Sequence, residues 1–546
     1  MARHLKREER NERWLLLFLV VFALIFFRYC YYGFEYYYQL DDYIQYYNYA
    51  AHRGSVQTII STLGLLAARP LAGIADITVW TRFFSRMIVG VAVISAMYAV
   101  SACAFKRVFN RHFGTGYVFI AVYALLPLGF EGTYWMSAAT RIVTGLFFAS
   151  LSLLCFDSWC ESGKKLRLLL YIVLQLIAYG FYEQIIVLSC AATVLIAIVA
   201  GREAKRRSIW CIFSFISMGL YFAFVSSFPD SPLYGNKTGY VLPFSSYYWK
   251  DFFPQVLEQI KSAFVGGGFY TVAKGAKRGA AMLLADKNWI YAIALIVLAF
   301  LFYRLARRDD GRCGRKLAAV IVGALLAAAP LAPFFVADSV WFSLRGTVCS
   351  FCGIALVADA VVAFLVCRTK KPGEMAAAVA VAAVLVFCVA SVSELHDYRE
   401  TTKNDAAFTE ILYGRLKADA RLDGSMKIAV LNVEPSYLED CNYIWHEHIH
   451  GVTESDWALS GALECRADIE IAPKVTPMPA NPMYQPWNHD TMQLDRFDVI
   501  YLYDGEKLTE ARIAPEGSGW RLKDVSGASL GYTWEEDGYG YLELGR

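Results

Sequence analysis

Residues 14–48 read WLLLFLVVFALIFFRYCYYGFEYYYQLDDYIQYYN, an apolar run that passes into tyrosines surrounding Asp41 and Asp42. A run of roughly 20 apolar residues is long enough to cross a bilayer as a helix. The basic segment MARHLKREERNER precedes this run, and no small-residue cleavage site follows it. These features predict an uncleaved first transmembrane helix near residues 14–33 and not a signal peptide.

The composition extends this pattern to most of the chain. Apolar residues make up 57% of the 546 positions and charged residues 18%, whereas a soluble protein is nearer one quarter charged. Long uncharged stretches recur, so the sequence predicts a polytopic α-helical membrane protein. Eleven spans are expected, near residues 14–33, 84–105, 116–130, 138–158, 168–182, 184–200, 209–228, 288–305, 317–337, 346–367 and 375–393.

Lysine and arginine indicate the orientation of these spans. Basic clusters fall in alternate connections, on the same side as the basic N-terminus, at residues 106–112, 162–167, 201–207, 304–316 and 367–374. The positive-inside rule makes that side cytoplasmic. We therefore expect a multi-pass protein of the plasma membrane, with its N-terminus in the cytoplasm and its C-terminal region outside.

Two domains follow from this topology. Residues 1–393 form a transmembrane domain with outer loops at about 34–83 and 229–287, and residues 394–546 form an extracytoplasmic C-terminal domain. The apolar stretch 59–68 is too short to cross and is expected to lie at the outer interface. The strand-like segments MKIAVLNV (426–433) and FDVIYLY (497–503) predict that the C-terminal domain is a small α/β domain.

Asp41 and Asp42 are the first candidate site, because they lie just beyond the outer end of the first helix. Acidic residues there are often only solvated, and tyrosines commonly form interfacial belts. The aromatic flanks and the interface helices that follow favour a second interpretation. A carboxylate at the lip of an outward-facing cavity could act as a general base.

An acidic pair directly after the first helix, juxtamembrane helices in the first outer loop and an outer C-terminal domain together resemble the GT-C class of membrane glycosyltransferases. Within that class the chain is most similar to the bacterial O-antigen-type glucosyltransferase families. The resemblance implies transfer of a monosaccharide from a polyprenyl-phosphate donor to a cell-surface or cell-wall glycan, with inversion. Either aspartate could be the base, and we favour Asp41. Some GT-C enzymes use a divalent cation, which this sequence leaves open.

The departing phosphate needs a cation on the outer side, and arginine suits it because its fork can bind two oxygens. Arg345, in ADSVWFSLRGTV, and Arg141, in YWMSAATRIV, are the two main candidates by position, and Arg69 is a third. The alternative for each is an interfacial arginine that extends its charge into water.

Glu183 and Trp135 complete the candidate site. Glu183 lies in a tight outer hairpin, where a carboxylate usually faces a cavity or a partner. We expect it to pair with Arg141 or Arg345 or to contact the substrate. Trp135, with Glu131 beside it, could line a sugar pocket, although an ordinary interfacial tryptophan has the same sequence signature.

The C-terminal domain carries two further patterns. His446, His448 and His450 alternate, so on a strand they would share one face and could bind a metal; surface histidines or acceptor contacts are the alternatives. Cys441 and Cys465 are the only cysteines expected outside the membrane and could form a disulfide.

Two other functional classes remain open. A flippase or transporter for lipid-linked sugars would need ionisable residues near mid-membrane, and Asp359 is the one clear mid-helix acid. A non-catalytic glycan-assembly scaffold would need neither aspartate. The chain has no Walker loop for ATP-driven transport, and its basic clusters flank membrane helices, which gives nucleic-acid binding no support.

Overall fold

Within the described residues, helices occupy most of the chain up to Ala418, and all of the strands lie beyond that residue. The computed structural model describes residues 2–48, 60, 64–200, 202–228, 239–307, 315–338, 340–436, 451–480, 493–536 and 539–545. The chain divides into two units. The first comprises Met1–Tyr36 and Ser55–Leu395, and the second comprises Tyr37–Gly54 and His396–Arg546.

Seven helices of the described residues are long and apolar enough to cross a membrane, which confirms a polytopic helical membrane protein. Their bounds are Trp80–Phe113, Met136–Ser162, Ala204–Val225, Trp289–Ala306, Lys316–Phe335, Leu344–Val366 and Pro372–Ala418. Three shorter apolar helices, Trp14–Phe27, Val118–Tyr134 and Glu183–Val199, fall at other expected spans. The count of eleven stays a prediction.

The α-helices are numbered in chain order. They are α1 Ala2–Phe27, α2 Pro70–Thr78, α3 Met87–Phe113, α4 Val118–Leu125, α5 Phe130–Tyr134, α6 Met136–Ser162, α7 Lys165–Tyr179, α8 Glu183–Val199, α9 Arg202–Ser208, α10 Ile212–Val225, α11 Phe253–Lys261, α12 Gly275–Ala285, α13 Trp289–Ala306, α14 Lys316–Ala328, α15 Phe351–Val366, α16 Pro372–Ala418 and α17 Asp456–Ala467. Helix α1 ends at Phe27, before the expected end near residue 33.

Several apolar segments of the first unit are broken. Pro127–Gly129 forms a 3₁₀ turn between α4 and α5, and Leu344–Ser350 forms a 3₁₀ segment before α15. Proline interrupts the first because it lacks an N–H donor. The two breaks pack closely, since a Cβ on Gly129 would lie 3.0 Å from a methyl carbon of Val348. Broken helices inside a membrane domain are typical of ligand sites.

The second unit contains two sheets. The first sheet has the order β2-β1-β3-β4, in which β1 runs parallel to β2 and β3, and β4 is antiparallel to β3. The second is an antiparallel meander, β5-β6-β7-β8. The strands are β1 Lys427–Leu431, β2 Lys474–Met478, β3 Val499–Tyr503, β4 Leu508–Glu510, β5 Arg512–Glu516, β6 Gly519–Lys523, β7 Ser529–Glu536 and β8 Tyr539–Leu544.

One apolar core joins these sheets. Leu431 of β1 and Ile500 of β3 pack in the same buried cluster as Leu522 of β6. The alternation of β-strands brings these side chains to the inner faces. The sequence indicated only the segments that contain β1 and β3, because these are almost fully buried apolar runs, whereas β5 to β7 are largely exposed or half-buried.

Candidate active site

Asp42 is a structural carboxylate of the second unit. It is fully buried, and its Oδ2 accepts a hydrogen bond from the Gln39 N–H at 3.0 Å. The Asp42 N–H in turn donates to the Gln39 carbonyl oxygen at 2.9 Å. Between them Leu40 has a positive φ of 37°, a conformation that costs energy for a residue with a Cβ. The Asp42 carboxylate therefore holds a tight turn.

Gln39 anchors this turn to the C-terminal part of α16. Its side-chain amide donates to the Tyr398 carbonyl oxygen at 3.1 Å and to Thr402 Oγ1 at 2.9 Å. The Thr402 hydroxyl donates to the Tyr38 carbonyl oxygen at 3.0 Å. The tyrosine-rich stretch after the first helix is thus fixed within the second unit, although it precedes most of that unit by more than three hundred residues.

Asp41 differs from its neighbour in exposure. It is half-buried, and it begins the helical turn that leads into the π-helix Tyr43–Asn48. Single-turn π-helical segments occur frequently at functional sites. Because adjacent helical side chains diverge, Asp41 remains the more exposed member of the pair.

Arg28 is a fully buried cation of the first unit, and sequence reasoning missed it. Its side chain is 1% exposed, and its Nη2 donates to Thr133 Oγ1 at 3.0 Å and to the Tyr29 hydroxyl. Its Nε and Nη1 have no hydrogen-bond partner, and no carboxylate among the described residues forms an ion pair with it.

Aromatic rings enclose the Arg28 guanidinium. Its Cζ lies 4.6 Å from the centroid of Tyr29 and 5.8 Å from that of Phe130. Tyr134 packs against both rings, with centroids 5.0 and 5.2 Å away. Cation–π contacts offset part of the cost of burying the charge. The Nε and Nη1 groups of Arg28 still lack hydrogen-bond acceptors among the described residues, and an anion bound beside them would supply these acceptors.

Glu183 pairs with neither of the two arginines expected from the sequence. Arg69 Nε donates to both Glu183 oxygens at 2.9 Å. The Arg69 guanidinium also stacks over Tyr182, at 4.5 Å from the ring centroid. The expectation of a pair with Arg141 or Arg345 missed this contact because Arg69 lies 114 residues before Glu183 and meets it only in the folded chain.

Arg141 is also neutralised within the first unit. Its Nη2 lies 2.8 Å from Asp76 Oδ2, and their side chains are 11% and 1% exposed. Thr140 Oγ1 lies 3.5 Å from the other Asp76 oxygen. Asp76 was not expected as a partner, because it lies in α2 of the first outer loop. The sequence signal was its position on the apolar helix PLAGIADIT.

Arg345 and Trp135 lie together. The Arg345 Cζ is 5.3 Å from the centroid of Trp135, which is fully buried, as is Glu131. Arg345 itself is half-buried in the Leu344–Ser350 segment. The indole is therefore a packed support for the arginine. Whether either residue contacts a substrate stays a prediction.

The first unit thus brings Arg69, Arg345, Glu183 and Trp135 into one region around Tyr182 and α5. Two carboxylates already neutralise Arg69 and Arg141, whereas Arg28 retains an uncompensated charge beside α5. The available sequence signal for Arg28 was an arginine placed between the apolar run and the tyrosines, in FFRYCYY. From the sequence alone, such an arginine is expected to lie exposed at the end of a membrane helix, and its burial becomes known only from the structure.

The metal and disulfide predictions of the C-terminal domain lie mostly outside the described residues. His446, His448, His450 and Cys441 are among the residues that are not described. Cys465 is a free thiol in α17. Within the described ranges, no group of three His, Cys, Asp or Glu side chains is arranged to hold a metal ion.

Asp359 caps a helix of the first unit. Its Oδ2 accepts from the Gly116 N–H at 2.9 Å and its Oδ1 from the Phe119 N–H at 3.3 Å. Phe119 lies in the first turn of α4 and Gly116 lies just before it, at a helix start where unpaired N–H groups attract a carboxylate. The mid-helix acid considered for transport therefore has a structural partner.

Neither the protein-family models nor the curated proteins compared with this chain match it.

Proposed function

We propose that the protein is an integral-membrane glycosyltransferase of the GT-C kind. It moves a monosaccharide from a polyprenyl-phosphate donor to a hydroxyl of a cell-surface or cell-wall glycan, outside the cytoplasm of a bacterial cell. The observation that carries the proposal is the buried Arg28 guanidinium, whose Nε and Nη1 have no partner among the described residues. A phosphate group supplies the charge and the acceptor oxygens that this side chain lacks.

Arg28 serves the leaving group in this proposal. As the bond between the anomeric carbon and the phosphate oxygen breaks, negative charge accumulates on that oxygen. A buried cation already in position stabilises the charge without reorganisation. The planar fork of arginine can bind two phosphate oxygens at once, and it stays charged at any relevant pH.

Asp41 serves the acceptor. It is the proposed general base, which takes the proton of the acceptor hydroxyl. Asp42 is committed to the Gln39 turn and keeps that turn in place. A phosphate leaves without protonation, so the reaction needs no second acid, unlike glycoside hydrolysis.

Transport of lipid-linked sugars has less support. It needs an ionisable group exposed along a path, and Asp359 instead caps α4 through two backbone N–H donors. A scaffold has less support as well, because a purely structural domain gains nothing from a buried arginine without an anion.

The test is mass analysis of the surface glycan in the native host. A deletion strain is complemented with the wild type, Asp41→Asn, Asp42→Asn or Arg28→Gln, at matched membrane levels. Asp251→Asn is the control, since Asp251 is an exposed carboxylate outside the candidate site. We expect Asp41→Asn and Arg28→Gln to reproduce the loss of one sugar unit, and the control and Asp42→Asn to restore it. Full restoration by both Asp41→Asn and Arg28→Gln would refute the proposal.

A further inference from the structure

The second unit contains a polar cavity of about 230 Å³ at one end of the β5–β8 meander. We infer that this cavity is a second sugar site, which binds one pyranose ring of the acceptor glycan. The assignment of the ring to the acceptor rests on the proposed function, whereas sugar binding itself does not. The polar side chains that line it are Gln493, Asp495, Ser518, Trp520, Thr533 and Glu535.

Three elements build the cavity. Trp520 of β6 and Thr533 of β7 are paired across the sheet, so their side chains share one face. Asp495 comes from the 3₁₀ turn Leu494–Arg496, which precedes β3. Gly519 permits the close strand contact, because a Cβ there would lie 1.6 Å from the Thr533 carbonyl oxygen. The walls therefore come from folded elements.

The polar groups of these walls are unused. No described residue forms a hydrogen bond or ion pair with the side chains of Gln493, Asp495, Ser518, Trp520 or Glu535. Thr533 is only 1% exposed, and its hydroxyl has no hydrogen-bond partner within the described part of the chain either. A buried hydroxyl without a hydrogen bond is costly, so its place in the lining indicates a missing partner.

Other carboxylates of the same unit do have partners. Glu510 lies 3.0 Å from an Arg421 nitrogen, and Asp456 lies 2.7 Å from Lys474 Nζ. Asp495 and Glu535 are exposed carboxylates without such a partner among the described residues; they border the concavity, where sugar hydroxyls are suitable donors to them.

The size and the aromatic wall favour a sugar ring over a cation. At roughly 30 Å³ of liquid volume for each water, the cavity has room for several waters or one ring. Within the described residues, no group of three His, Cys, Asp or Glu side chains is arranged to hold a metal ion, and this cavity brings only two carboxylates. The Trp520 indole packs against the apolar core and is held rigid. A fixed indole face can cover the C–H face of a pyranose.

Saturation-transfer NMR on the full-length protein in nanodiscs tests this inference. The probes are the methyl pyranosides of glucose, galactose, mannose, rhamnose and N-acetylglucosamine. We expect saturation transfer to at least one of them, and an affinity at least tenfold weaker in the Asp495→Asn/Glu535→Gln double variant. The control, Glu543→Gln, removes a carboxylate from the opposite face of the same sheet, beside Tyr532, and should bind as the wild type does.

Several outcomes separate this inference from the proposed function. Asp41→Asn should retain sugar binding while it loses transfer; a bound sugar in a protein without any transfer activity would refute the proposed function alone. Absence of saturation transfer from the wild type, or unchanged affinity in a double variant with a wild-type unfolding temperature, would overturn the sugar site. Calcium binding by calorimetry that disappears in the double variant, without sugar binding, would also overturn it.

Discussion

Arg28 and Arg141 are two arginines of the first unit that are almost removed from solvent, yet their surroundings differ in one respect. Arg141 lies 2.8 Å from a buried carboxylate, that of Asp76, whereas Arg28 forms no ion pair with any described residue. In a buried ion pair each charge compensates the other, so removal of one partner leaves an unpaired charge in the protein interior. A buried cation without an anion is costly and points to a ligand that brings the anion.

Of the substitutions that test this difference between the two arginines, a substitution of Arg28 should have the largest effect on activity. Arg28→Gln should lower sugar transfer by roughly 100-fold or more, because the phosphate loses its only charge-assisted donor at this position. The unfolding temperature should not fall, since the substitution removes an uncompensated buried charge. Transfer assays and thermal unfolding in the same nanodisc preparation measure both effects.

Arg28→Lys sharpens this test. It retains the charge but not the fork, so transfer should lie between that of the wild type and that of Arg28→Gln. Equal transfer by all three proteins would mean that Arg28 has no role in catalysis.

Removal of the carboxylate that pairs with Arg141 should lower stability and leave sugar transfer by the folded protein nearly unchanged. Asp76→Asn leaves the Arg141 guanidinium without its buried counter-charge, which we expect to destabilise the protein by about 3 kcal/mol. Transfer per folded molecule should change far less than in Arg28→Gln. Thermal unfolding gives the first quantity, and transfer normalised to the folded fraction gives the second. An unchanged unfolding temperature would contradict a structural role for the pair.

Asp405 extends the comparison to a buried acid of the second unit, beyond the apolar part of α16. Burial raises its pKa to about 7, although Ser436 and the Val452 N–H both donate to its Oδ1. Its Oδ2 has no partner among the described residues. An aspartate can escape an unpaired charge by taking up a proton, which an arginine cannot do.

This raised pKa predicts a pH dependence of stability. Between the unfolded value near 3.9 and the folded value, the folded state binds more protons, so stability falls as pH rises through that window. We expect a loss of roughly 2 kcal/mol between pH 5 and pH 8. Chemical unfolding at the two pH values measures it, and Asp405→Asn should flatten the profile. A profile equally steep in Asp405→Asn would assign the dependence to another group.

The smallest effect is expected at the pair of Arg69 and Glu183, whose side chains are 28% and 33% exposed. Solvent screens a pair of this exposure, so Glu183→Gln should cost no more than about 1 kcal/mol. Thermal unfolding of Glu183→Gln and Asp76→Asn under the same conditions measures the difference between their losses of stability. A loss as large as that of Asp76→Asn would show that exposure does not govern these two ion pairs.

Composition and apolar periodicity predicted the membrane class and the positions of its helices, because a helix that crosses a bilayer needs a long uncharged segment. They also predicted that Arg69, Arg141, Glu183 and Arg345 lie near the outer ends of helices or in the outer loops. They did not predict the partners, because Asp76 and Glu183 are brought to their arginines by packing between segments far apart in sequence.

The sequence by itself determined that this chain is a polytopic helical membrane protein with a C-terminal region that contains strands, and that an acidic pair follows its first helix. Only the tertiary structure decided which charges are neutralised. It paired Arg69 with Glu183 and Arg141 with Asp76. It also buried Arg28 without a carboxylate among the described residues and placed Asp42 in a turn. It also assembled the cavity of Asp495 and Glu535 from two separate segments. The reason is physical: local sequence sets hydrophobicity and propensity, whereas burial and pairing depend on residues that meet only after folding.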